Sequence, residues 1–252
     1  MFWRKKRTYL DYAAGVSGNP SSAHDEGRKA KKMLEDARTD IARLLEVQAD
    51  DVIFTSGATE ANALAILGVV RSRQKAVGSN KLHVLYLPSS HASVVENMKL
   101  LAKEGVEIEP LPIRDASVDA EVLAKMIRAE TVLVSMDAVC GETGIVWNTR
   151  EVKQTIGGVL LHVDASQAPM TEKITRAHFG ADIMTLDSSK VCATRGVGAL
   201  IAHRTVSIEP LYRGGGQERG LRSGGEAPEL AKNFAACLRQ AAFGREDFVA
   251  PP

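Results

Sequence analysis

Lys190 and Asp164 are the residues of this chain whose types and setting could do covalent chemistry. The run Leu160-Leu161-His162-Val163-Asp164-Ala165-Ser166-Gln167 reads as a buried strand that ends in an acid. Ala181-Asp182-Ile183-Met184-Thr185-Leu186 reads as a second strand, followed by Asp187-Ser188-Ser189-Lys190. As adjacent parallel strands they would bring Asp164, Gln167 and Lys190 to one edge of a sheet. An amine there can form a Schiff base with an aldehyde. A carboxylate there can keep a pyridine nitrogen protonated, so that the ring acts as an electron sink; together they suit pyridoxal phosphate. Taken alone, the pair is also what a solvated loop lysine and a strand-end cap look like. The elements around it must decide.

Those elements alternate between strand and helix. Residues 24–46 read as a helix with the apolar stripe Ala30, Met33, Leu34, Ala37, Ile41, Leu44 and Leu45. Residues 52–54 form a short strand, followed at once by Thr55-Ser56-Gly57-Ala58-Thr59-Glu60 and an apolar helix through residue 70. Strands are expected at 82–87, 106–111, 131–136, 159–164 and 183–186, and helices at 92–103, 119–128 and 228–243. Residues 198–202 read as a further strand that can run antiparallel, since the loop before it is too short for a crossover helix. The pattern is α/β: a mostly parallel central sheet with helices on both faces.

Composition sets outer bounds. At 252 residues, 44% apolar and 25% charged, the chain can bury a full core as one large domain, alone or with a small appendage. A net charge of +1 gives no argument for a nucleic-acid or membrane surface. The opening Met1-Phe2-Trp3-Arg4-Lys5-Lys6-Arg7 is basic, but too short and polar for a signal peptide or membrane span. Three irregularly spaced cysteines, Cys140, Cys192 and Cys237, fit a reducing, cytoplasmic setting with no disulfide framework, and Cys237 reads as core. No Cys/His spacing resembles a metal site.

Three stretches add chemistry. Thr55–Glu60 joins a strand to a helix, so its glycine and the first free N–H groups make an anion site, or equally an ordinary Ser/Thr cap. His91 follows a strand at its carboxyl end, where an imidazole can stack on a flat ring and shuttle protons, or simply face solvent. Residues 213–225, with three arginines and six glycines, read as an anion clamp or a flexible surface loop.

Together these segments resemble the cysteine desulfurase family, in the class V group of fold-type-I pyridoxal phosphate enzymes. The resemblance runs from residue 9 to about 240. It rests on Tyr9-Leu10-Asp11-Tyr12-Ala13-Ala14, Gly18-Asn19-Pro20-Ser21-Ser22-Ala23-His24, Ile53–Glu60, His162–Gln167, Gly196–Leu200 and Gly214–Gly224, in family order. It implies an N-terminal arm (1–24), a cofactor-binding large domain (25–240) and a C-terminal tail (241–252), with the small C-terminal domain largely absent. It also implies Lys190 as the Schiff-base lysine, Asp164 on the pyridinium nitrogen and Gln167 on the ring hydroxyl. His91 would stack on the ring and act in proton transfer, while Ala58, Thr59 and Ser189 would lie at the phosphate. The expected activity removes sulfur from L-cysteine, giving alanine and a persulfide for a sulfur-acceptor protein and iron–sulfur assembly. The expected assembly is a homodimer in which the arginine-glycine loop reaches toward the neighbouring cofactor.

The chain departs from the family in several places. The family's mobile-loop cysteine and substrate-carboxylate arginine are not found. Asp187-Ser188-Ser189-Lys190 stands for Ser-x-His-Lys, placing an acid where phosphate would be touched. Cys140-Gly141-Glu142 stands for Asn-Asn-Glu, Gly225 replaces a phosphate-binding threonine, and the stretch between Ala14 and Asn19 is shortened. Cys192 and Cys140 are candidate sulfur acceptors. A pyridoxal-phosphate lyase and a non-catalytic partner or regulatory subunit remain alternative readings.

Overall fold

The computed structural model describes residues 8–15, 18–79 and 81–244, with side chains through 242. The basic opening 1–7 and the end of the tail, 245–252, lie outside the described residues.

A helix, α1 (Asp25–Leu45), leads into strand β1 (Val52–Thr55). His24 caps α1, its ring accepting from Gly27 N, and Glu46 closes it in the left-handed conformation. The next helical run is α2 (Ala58–Ala63), a π turn (Leu64–Gly68) and α3 (Val69–Val77), without a break. It extends past the expected end at residue 70. Then follow β2 (His83–Tyr86), α4 (Ala92–Lys103), β3 (Glu107–Pro110) and a small hairpin, β4 (Ile113–Arg114) with β5 (Ser117–Val118). Helix α5 (Ala120–Met126), β6 (Thr131–Asp137), α6 (Thr149–Ile156), β7 (Leu160–Asp164), α7 (Arg176–Phe179), β8 (Ile183–Asp187), β9 (Gly198–Ala202) and α8 (Pro228–Gly244) complete the order.

Seven strands form one sheet in the order β1-β9-β8-β7-β6-β2-β3. All neighbouring pairs are parallel except those of β9, which runs antiparallel to both β1 and β8. This is the expected mostly parallel sheet, with the antiparallel strand at 198–202.

Side chains alternate between two buried layers because successive Cβ atoms point to opposite faces of a strand. On β9, Ala199 and Ile201 join the layer containing Leu34 and Ile41 of α1 and Phe234 and Leu238 of α8. Leu200 and Ala202 join the opposite layer, with Leu64 and Ile66 of the π turn and Val94 and Met98 of α4. Helices therefore cover both faces. No helix among the described residues is long and apolar enough to cross a membrane.

The cysteine reading needs correction. Cys192 and Cys237 form a disulfide with Cα atoms 5.8 Å apart, leaving Cys140 free and buried. The chain after Lys190 turns back against α8, and spacing along the sequence cannot reveal a contact between elements so far apart.

Candidate functional site

The carboxyl ends of β1, β2, β6, β7 and β8 share one edge of the sheet, because these strands all point the same way. Ligands of open α/β sheets bind at such edges, where loops diverge and helix N-termini face outward. Every candidate residue of the sequence lies along it.

Asp164 closes β7 and is buried. Its Oδ1 accepts from Ser166 N at 3.0 Å and its Oδ2 from Asn62 Nδ2 at 2.6 Å. Asn62 Nδ2 also donates to Ser93 Oγ at 2.9 Å. Ser93 Oγ lies 2.8 Å from His91 Nδ1, which also accepts from Ser93 N at 3.1 Å. His91 thus caps α4 and connects through Ser93 and Asn62 to Asp164. Because Nδ1 accepts, a neutral ring carries its proton on Nε2.

Asp137, the last residue of β6, sits opposite Asp164 in the strand register. It is buried, and burial followed by the neighbouring Asp164 charge raises its pKa to about 7. His162, two residues before Asp164, is fully buried between Ser135 Oγ (2.8 Å) and Thr185 Oγ1 (3.1 Å). Burial pushes its pKa down to about 4, so it is a neutral link across three strands.

Lys190 ends a 3-10 turn (Ser188–Lys190) that follows β8, and it is exposed. Gln167 is half-buried beside Gly141: a Cβ at Gly141 would fall 2.8 Å from Gln167 Nε2, so the amide occupies the room that glycine leaves.

The stretch 55–60 has a different occupant from the one its sequence invites. Ala58 N donates to Asp187 Oδ2 at 2.9 Å, and Ser189 N donates to Asp187 Oδ1 at 2.8 Å. Ser56 N donates to Glu60 Oε2 at 2.5 Å. Thr59 is exposed. Gly57 has φ of +151°, and a Cβ there would lie 3.4 Å from Asp187 Oδ2.

The arginine-glycine loop is pinned rather than free. Glu218 is buried and bonded to Arg38 of α1, and Arg222 Nε pairs with Glu60 at 3.2 Å. Arg213 lies 3.7 Å from Glu209.

These residues form two unlike halves for a ring-and-phosphate cofactor. The acid end fits: among the described residues Asn62 Oδ1 and Ser166 Oγ are buried without a hydrogen-bond partner, and both belong to residues bonded to Asp164. Such atoms call for a polar guest. The anion end fits poorly, since a carboxylate already takes the Ala58 amide. A concavity of about 1140 Å³ lies elsewhere, lined by Ser72, Arg128, Leu160, Asp182 and His203. It adjoins the amino ends of β6, β7 and β8, and none of the candidate residues lines it.

The sequence reading missed Asn62, Ser93 and Asp137. The available signals were a lone amide in an apolar helix and a second acid closing a buried strand.

Residues 6–233 match the family Aminotransferase class-V. Cysteine desulfurase IscS 1 of Archaeoglobus fulgidus is 39% identical over 220 residues, covering 86% of this chain and 56% of that protein. The mitochondrial cysteine desulfurase of Saccharomyces cerevisiae is 35% identical over 238 residues, covering 92% of this chain and 47% of that one. Among solved structures, a NifS-like protein superposes with a TM-score of 0.86 at 29% identity, covering 94% of this chain and 65% of its own. SspA in complex with cysteine gives 0.82 at 28% identity, covering 90% and 66%. The chain spans about half the length of the curated relatives it matches.

Proposed function

Because the chain belongs to the class-V aminotransferase family, we propose that it forms the cofactor-binding portion of a pyridoxal-phosphate-dependent cysteine desulfurase. One observation carries the reading: the buried Asp164 carboxylate, fixed by Asn62, closes the strand beside the one that leads to Lys190. When bound, pyridoxal phosphate supplies an aldehyde for an amine and an electron-withdrawing ring.

Each residue then has a defined task. Lys190 is exposed, so its amine is reachable for covalent capture. Asp164 would accept a hydrogen bond from the pyridine nitrogen, and a buried carboxylate favours the protonated ring. Asn62 fixes the direction of that carboxylate. Gln167 would face the ring hydroxyl, and His91, with Nδ1 held by Ser93, would present Nε2 for stacking and proton transfer. Ala58, Thr59 and Ser189 would border the phosphate.

The proposed substrate is L-cysteine, which loses sulfur to a thiol acceptor and leaves alanine. Relatives named as cysteine desulfurases and a structural neighbour solved with cysteine support this choice. A homodimer, a sulfur-acceptor protein and a cytoplasmic setting complete the proposal. The occupied Ala58 amide favours a second reading, a relative that binds cofactor weakly and acts as a partner subunit.

The test is the near-visible absorbance of the protein with pyridoxal phosphate, beside Lys190→Ala. A band in the parent that the variant lacks is expected, with sulfide released from cysteine in the presence of a thiol. No band at saturating cofactor overturns the enzyme reading.

A further inference from the structure

The carboxylate of Asp187 sits where a bound anion would sit. It takes the Ala58 N–H at 2.9 Å, its other oxygen is held by Ser189 N at 2.8 Å, and it lies against Gly57. Among the described residues no lysine, arginine or histidine pairs with it. The second carboxylate of this loop, Glu60, takes the Ser56 N–H and is itself bonded by Arg222 and Tyr212. The donors of residues 56–58 are therefore engaged by the chain's own acids and by Thr55 Oγ1, which accepts weakly from Gly57 N at 3.4 Å. A phosphate dianion placed here would meet an unneutralised carboxylate and would have to displace it from Ala58. Like charges at contact distance oppose each other strongly at a partly dry site.

We propose that Asp187 is a specificity-determining residue: an internal anion that removes the advantage a phosphate ester normally gains at this edge, so that the site binds by its ring end. The inference rests on the reading of this edge as a pyridoxal phosphate site, and it names the class of ligand that the edge tolerates. Pyridoxal, which has the ring and aldehyde but no phosphate, should bind nearly as well as its phosphate ester. Replacing the acid by a small hydroxyl frees the Ala58 amide and removes the repulsion. Replacing it by an amide keeps an acceptor for Ala58 N but removes the charge.

The experiment measures the affinities of pyridoxal phosphate, pyridoxal and inorganic phosphate for the full chain, Asp187→Ser and Asp187→Asn. Protein fluorescence and calorimetry serve as readouts, with far-ultraviolet circular dichroism checking that each variant is folded. In the parent, pyridoxal phosphate and pyridoxal should bind within about threefold of each other, and inorganic phosphate should not compete. In Asp187→Ser, pyridoxal phosphate should tighten tenfold or more while pyridoxal stays unchanged, and inorganic phosphate should compete. Asp187→Asn should move the same way by a smaller factor, and it decides the matter if the serine variant does not fold. An unchanged ratio of the two aldehydes in a folded variant overturns the proposal, as does a parent that prefers the phosphate ester tenfold. Inorganic phosphate binding does not depend on Lys190. Its appearance in Asp187→Ser therefore supports the inference even if neither aldehyde reacts at Lys190, an outcome that would defeat the enzyme reading alone.

Discussion

Arg38 and Glu218 meet fork to fork, Nη1 to Oε2 at 2.8 Å and Nη2 to Oε1 at 2.7 Å, both side chains buried and 180 residues apart in sequence. The same carboxylate accepts from Phe54 N at 2.8 Å, and Arg38 Nη1 donates to Val52 O at 2.6 Å. Glu218 and Arg219 both have positive φ, an uncommon backbone for non-glycine residues, which the pair holds in place. The arginine-glycine loop is thus fastened to α1 and β1 at one point. Glu218→Ala should lower stability by about 2–3 kcal/mol, because it strips Arg38 of its buried, two-point partner and leaves it only the more exposed Glu35 carboxylate, 3.2 Å from Nε. Glu218→Gln, which keeps an acceptor for Phe54 N, should lose less. Urea unfolding of both variants checks the order; equal losses would show that the charge pair does not matter.

The Asp137–Asp164 pair predicts a pH dependence of stability. Burial raises the folded pKa of Asp137 to about 7, above its unfolded value. The folded state therefore keeps a proton that the unfolded state releases, and stability is fully present below about pH 4 and lost as pH rises to about 7. Asp137→Asn should flatten this fall and stabilise the protein on the order of 2–4 kcal/mol above pH 7. Denaturant melts at pH 5 and pH 8 measure it; parallel behaviour of parent and variant would contradict the buried, protonated acid.

Ser93 should fix the His91 tautomer. Both of its groups at His91 Nδ1, the amide at 3.1 Å and the hydroxyl at 2.8 Å, favour the ring with its proton on Nε2. Nitrogen-15 shifts of labelled histidine at pH 8 should show that form in the parent and a weaker preference for it in Ser93→Ala, which keeps the amide donor and loses the hydroxyl. A parent already mixed would mean the relay from Asp164 does not order the ring.

Thiol titration of the unfolded protein without reductant should find one reactive cysteine, Cys140, since Cys192 and Cys237 are joined. Reduction opens a loop spanning 45 residues in sequence, which loop-closure entropy values at up to about 4 kcal/mol. Three thiols without reductant would contradict the bridge.

Lys190→Ala should leave stability within about 0.5 kcal/mol, because Lys190 is exposed and carries no ion pair among the described residues. A thermal melt without ligand measures this. A large loss would assign the lysine a structural task.

The sheet was legible because its strands are short apolar runs between turn residues, and α1 and α4 because each carries an apolar stripe over several turns. Helix α6 escaped notice: its buried positions Thr149, Val152 and Ile156 keep helical spacing, but the helix is only eight residues long and just two of the three are apolar. The two-residue strands at 113–114 and 117–118 leave no period at all. At the site, Asp164 and Lys190 stood out as a strand end and a residue soon after one. Asp137 did not, because the strand was expected to stop one residue earlier, at Met136. Asp187 was visible as an unusual acid. Its destination was not, since the Ala58 amide lies 129 residues away in sequence.

The π turn at Leu64–Gly68 means that the helix beginning at Ala58 accommodates one residue more than an α-helix of the same span. Asn62 lies before that bulge, bonded to Asp164, and α3 lies after it. Deleting one residue within the bulge can be absorbed by a return to α geometry, with both flanks keeping their present faces. A deletion elsewhere in the run would swing every following side chain by about 100°. This span is where the run can lose a residue while Asn62 keeps the acid and α3 keeps its buried face.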